Sequence, residues 1–85
     1  MIKDNDLLNN INKLRTTELG IERVKQNLGL ETDDVAAWCR QAIGQADEII
    51  RKGKNWYINT GGAVITVNAR SYTVITAHKI TKKQM

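Results

Sequence analysis

The sequence predicts an α+β domain in which about three N-terminal helices pack on one face of a C-terminal antiparallel meander of three or four strands. Three observations carry that reading. Apolar residues recur at helical spacing through the first 45 positions. Polar and apolar residues then alternate with period two through residues 51 to 80. Finally, the helical and extended signals do not interleave, which argues against a parallel βαβ arrangement.

The first helix is expected at about residues 5 to 14. Asp4-Asn5-Asp6 offers a cap and favourable charge, and Leu7, Leu8, Ile11 and Leu14 make one stripe. Thr16-Thr17 reads as a second cap, with Ile21, Val24 and Leu28 following and Gly29 suited to the left-handed closing position, so a second helix spans about 17 to 28. Thr32 and Asp33-Asp34 precede Val35, Trp38, Cys39 and Ala42, placing a third helix at about 33 to 43, with Gly44 as its stop. Both Trp38 and Cys39 fit the core better than a site. Residues 45 to 53 divide the evidence: Ile49-Ile50 opens a strand or finishes a short helix, and the stretch stays unassigned.

Gly61-Gly62 between alternating segments is a two-residue hairpin signal, because both central positions accept positive φ. Thr60 then faces Ala63, Ile58 faces Ile65 and Trp56 faces Val67. A three-residue loop Arg70-Ser71-Tyr72 sets Val67 opposite Ile75 and Ile65 opposite Ala77. The buried face is then Trp56, Ile58, Ile65, Val67, Ile75 and Ala77. The open face presents Tyr57, Asn59, Thr66, Asn68, Thr76 and His78, with Val64 and Val74 among them.

Eighty-five residues suit one domain, with a helical region over residues 1–45, a sheet over 46–81 and a basic tail over 82–85. The start lacks a signal-peptide stretch and no apolar run is long enough to span a bilayer, so a cytoplasmic protein with no membrane contact is expected. A single cysteine excludes an internal disulfide, and no ligand spacing suggests a metal or other cofactor. Charge is divided unevenly. Residues 1 to 47 hold six Lys/Arg against eight Asp/Glu, whereas residues 48 to 85 hold seven Lys/Arg against Glu48 alone. The basic half, built from Arg51, Lys52, Lys54, Arg70, Lys79, Lys82 and Lys83, attracts phosphate and points to nucleic acid, although basic surface also serves solubility.

His78 is the only histidine, the side-chain type that titrates near neutrality, and so the natural proton-transfer group of a candidate catalytic set His78, Arg70, Thr76 and Tyr57. Cleavage of RNA by its own 2′-hydroxyl needs a base, an acid and a cation for the developing charge. The nucleic-acid-binding candidates are Lys52, Lys54, Arg70, Lys79, Thr66, Asn68 and Tyr72. Each has a plainer reading: His78 as a tolerated exposed residue, Arg70 as a loop cation, the threonines as strand formers. The partner is RNA, with tRNA as one candidate, or a protein bound by the same face or by a sheet edge, as an inhibitor or antitoxin would be.

The segments Thr16-Thr17-Glu18-Leu19-Gly20, Asp33-Asp34-Val35 with Trp38-Cys39, Arg51-Lys52-Gly53-Lys54-Asn55-Trp56-Tyr57-Ile58, and Ser71-Tyr72-Thr73-Val74-Ile75-Thr76-Ala77-His78-Lys79 together resemble a family of small stand-alone bacterial proteins catalogued as a domain of unknown function. That resemblance implies no activity. Helices followed by a meander, ending in the strand Tyr72 to His78, are similar to the nuclease superfamily that groups barnase, EndoU, certain colicins and RelE toxins. The likeness implies a metal-independent ribonuclease of toxin type working on the open sheet face. It carries over to His78, Thr76, Arg70 and Tyr72, with no second histidine or glutamate recognised on the sheet.

Overall fold

The computed structural model describes residues 6–80. The elements are α1 (Asp6–Asn9), a 3-10 turn (Ile11–Lys13), β1 (Arg15–Thr16), α2 (Glu18–Leu28), α3 (Val35–Gly44), β2 (Glu48–Lys52), β3 (Asn55–Thr60), β4 (Ala63–Asn68) and β5 (Thr73–Lys79). The fold is α+β, with helices on one face of a five-stranded sheet ordered β1-β5-β4-β3-β2. The four C-terminal strands form the expected antiparallel meander. The divided stretch 45 to 53 supplies its fourth strand, β2.

Two expectations are corrected. The first helix does not run to residue 14. It ends at Asn9 and tightens into the 3-10 turn, and the chain then adds β1 parallel to β5, making the sheet mixed. The Arg15 amide donates to the Tyr72 carbonyl at 2.9 Å, a long-range pairing that no local pattern announces. The proposed cap at Asp4-Asn5 and the tail 82–85 lie outside the described residues.

The other two helices follow their caps. Thr17 Oγ1 accepts from the Gly20 amide at 3.0 Å, and Gly29 closes α2 at φ 66°. Asp34 Oδ1 accepts from the Ala37 amide at 3.0 Å, so Asp34 is the cap and α3 starts at Val35. Each helix buries residues about four apart, Gly20, Val24 and Leu28 on α2 and Val35, Cys39 and Ile43 on α3. Beyond Val74 the outer edge of β5 has no strand partner among the described residues, and α2 lies against it. Asn27 Nδ2 donates to the Ala77 carbonyl at 2.9 Å, and a Cβ at Gly20 would stand 2.9 Å from the Val74 oxygen. A strand edge that would otherwise offer itself to another chain is thereby covered.

The core joins Leu7, Leu14, Val24, Val35, Cys39 and Ile43 to Ile49, Trp56, Ile58, Ile65, Val67, Val74 and Ala77. The hairpin register is as read from Gly61-Gly62, with Thr60, Ile58 and Trp56 facing Ala63, Ile65 and Val67. The next register is correct in its lower half, Thr66 to Thr76 and Ile65 to Ala77, and shifted above it: Val67 faces Val74 and Asn68 faces Thr73. The loop therefore has four residues, 69 to 72, and an irregularity at Ile75 absorbs the extra one. Val74, expected outside, is buried, and Ile75, expected inside, is half-exposed.

Candidate phosphate-binding site

The open face takes its order from the strand registers. One row across it reads Ile50, Tyr57, Thr66, Thr76; the next reads Glu48, Asn59, Val64, His78. Four predicted site residues, Tyr57, Thr66, Thr76 and His78, thus share neighbouring rows. Thr66 is nearly covered at 8% exposure, and the Tyr57 hydroxyl accepts from Asn55 Nδ2 at 3.4 Å. His78 is exposed, and its side chain has no hydrogen-bond or ion-pair partner among the described residues. Its direct neighbour is Val64.

Glu48 is the carboxylate that the sequence did not place on this face, because residues 45 to 53 stayed unassigned. It accepts from Asn59 Nδ2 at 3.2 Å and stands three strands from His78, about 14 Å at the ~4.8 Å strand spacing. Two groups that far apart do not meet on one phosphoryl group.

The remaining predicted residues lie elsewhere. Arg70 is in the 69 to 72 loop, at the other end of the sheet from His78, since Val64 and Asn68 alone are separated by about 13 Å of strand at ~3.3 Å per residue. Lys79 has the parity of buried Ala77 and belongs to the helical side. Tyr72 also faces that side, its ring 5.2 Å from that of Trp56 and the Lys13 ammonium 5.8 Å from its centre. Asn68 Oδ1 is taken up by the loop, accepting from the Arg70 amide at 2.9 Å, the Ser71 amide at 3.0 Å and Ser71 Oγ at 3.2 Å.

What the structure does assemble is a cleft of about 380 Å³ at that end, lined by Arg51, Gly53, Lys54, Asn68, Ala69 and Arg70. The β2–β3 turn and the β4–β5 loop form its walls, held together by the Ala69 amide donating to the Lys54 carbonyl at 2.7 Å. Arg51 shares the helix-side parity of Ile49. Its guanidinium lies 5.7 Å from the Trp56 ring centre and its Nε donates to the Gly53 carbonyl at 3.0 Å, so it is fixed in place. Among the described residues none of the three cations is ion-paired and no carboxylate lines the cleft. Lys52 and Arg15 stand on the same end of the open face, in one row with Asn55, Asn68 and Thr73.

Sequence reasoning missed Arg51 as a site residue. Reading Ile49 as an inward strand residue would have placed Arg51 two positions on, facing Trp56. Arg15 had no such signal, since its place depends on the parallel pairing. Cys39 is fully buried, and burial pushes its thiol up to about 11 against a weaker lowering by Arg40, so it is protonated and unreactive at neutral pH. No group of three or more His, Cys, Asp or Glu able to hold a metal forms among the described residues. No helix of the described residues is long and apolar enough to cross a membrane.

A mixed sheet covered by helices on one face, with three cations gathered around a cleft at one end, defines a small α+β domain with a basic pocket. Over residues 8–78 the chain matches the model of the DUF3781 family, described as a protein of unknown function, and it belongs to that family. No curated protein and no solved structure matches it.

Proposed function

We propose that this protein binds RNA through its phosphate backbone, at the basic end of the sheet, without cleaving it. The observation that carries this reading is the cleft in which Arg51, Lys54 and Arg70 converge with no acidic neighbour among its lining residues. Arginine presents a planar fork suited to phosphate oxygens, and Arg51 is already oriented by Trp56 and Gly53. The adjoining row with Lys52, Asn55, Thr73 and Arg15 extends the positive surface onto the open face, long enough to follow a strand. Single-stranded RNA neutralised by three cations should lose affinity with salt at a log–log slope of about −2. Fluorescence anisotropy with a labelled single strand measures it. Substituting Lys54→Gln and Arg70→Gln together should flatten the slope by about 1.4. Absence of binding at low salt removes the proposal.

Cleavage by a ribonuclease of toxin type is the second reading, favoured by the exposed imidazole of His78 beside Thr76 on the open face. The distance between that end and the cations speaks for binding alone. Incubation with total tRNA in EDTA distinguishes the two: cleavage that disappears in His78→Ala supports catalysis, and intact tRNA leaves binding.

A further inference from the structure

A second cavity, of about 430 Å³, opens on the helical side at the opposite end of the sheet from the basic cleft. Trp38, Gln41 and Ala42 follow an i, i+3, i+4 spacing on α3 and Gln45 is its C-cap, so a single face of the helix and its end form one wall. Leu28 and Leu30 add apolar surface from the end of α2 and the segment after it. The Gly61–Gly62 turn, with φ of 54° and 83°, contributes backbone and no side chain, and Ala42 and Ala63 are small. That absence of bulk is what keeps the space open. The volume falls in the ~300–1,000 Å³ range of small-molecule pockets.

Its chemistry is specific. Trp38 is only half-buried, although its place on the α3 stripe suits a core residue, and its ring is a flat aromatic wall. Among the described residues Lys79 is the only charged side chain in the lining, and the glutamine amides add hydrogen-bond donors. The Thr60 hydroxyl is already used, donating to the Ala42 carbonyl at 2.8 Å. An apolar, tryptophan-walled space that the described residues line with one cation and no carboxylate complements a flat apolar body bearing a negative charge.

We propose that this cavity binds a small aromatic carboxylate, its ring against Trp38 and its charge on Lys79. The site is separate from the RNA-binding end and stands whether or not that reading holds.

The test is a titration of the isotope-labelled full chain with naphthoate, followed by amide and indole chemical shifts. The expected result is saturable movement of the Gly61 and Gly62 amides, the Gln41 and Gln45 side-chain amides and the Trp38 indole N–H. Neutral naphthylmethanol and the Lys79→Gln variant should each bind about twofold to fivefold more weakly, the loss of one charge pair on an exposed lysine. Ala42→Leu should block binding by filling the space, and the spectrum of Lys79→Gln keeps the test valid should Ala42→Leu not fold. The proposal is overturned if naphthoate moves no resonance, moves resonances of the open face instead, or binds Lys79→Gln as tightly as the unmodified chain.

Discussion

The two ends of the sheet are made from similar components, a glycine-bearing turn between antiparallel strands, and come out chemically opposite. At one end the β2–β3 turn with Gly53 and the four-residue loop 69 to 72 carry Lys54 and Arg70 around an open basic cleft. At the other the Gly61–Gly62 turn carries no side chains and borders an apolar cavity with a tryptophan wall. Each end also owns one tryptophan. Trp56 is buried, with the Tyr72 ring tilted against it and the Arg51 guanidinium near its ring, and Trp38 is half-exposed. Turn composition therefore decides which side chains border each cavity, and burial separates the tryptophan that supports the core from the one that lines a cavity.

The sharpest way to break that contrast is to remove each indole. Trp56→Ala should cost about 3–5 kcal/mol by chemical denaturation and release Arg51 from its place, whereas Trp38→Ala should cost well under half as much. Equal losses would mean that Trp38 is as structural as Trp56. Next in size is a pH effect from the core beneath both ends. The folded Cys39 thiol titrates near 11 against an ordinary 9.0, so between those values the unfolded chain binds fewer protons than the folded one. Its contribution is complete below pH 9 and is lost as pH rises towards 11, about 2–3 kcal/mol in full. Denaturation of the chain and of Cys39→Ala over that range checks it, and parallel curves for the two would refute it.

Gly20→Ala is expected to destabilise by about 1 kcal/mol, because a Cβ 2.9 Å from the Val74 oxygen forces α2 off the β5 edge, an overpacking loss of about 1–3 kcal/mol. Improved helix propensity returns about 0.5–1 kcal/mol of that. A stabilised variant would show that α2 has room to move. Smallest of all, Lys54→Gln with Arg70→Gln should leave stability within about 0.5 kcal/mol per site while weakening RNA binding. A large stability loss there would make the basic end structural.

The Thr17 and Gly29 caps of α2, the Gly61–Gly62 hairpin and the inward face of β3 were legible because each follows from local stereochemistry or a period-two pattern. Thr17, Gly29 and Trp56 do in the structure what their types and spacing require. The β4–β5 connection was half legible. Its apolar pattern set the lower register, but the four-residue loop with an irregularity at Ile75 goes with Tyr72 at φ 58° and its ring packed against Trp56, which no local pattern announces. The candidate site was legible as a set of cations and polar strand residues, not as a place. Parity put His78 and Thr76 on one face and, by the same rule, Lys79 on the other, whereas the direction of Arg70 was set by the 69 to 72 loop.

Chain composition and periodicity by themselves determined the class of fold, the separation of helical from extended halves, and the concentration of positive charge in the second half, since all three are sums over local residue properties. Tertiary structure alone decided that β1 joins the sheet in parallel, that Arg51, Lys54 and Arg70 converge, and that Trp38 borders a cavity. Those outcomes depend on contacts between residues far apart in the chain, and no pattern of near neighbours encodes a distance across the sheet.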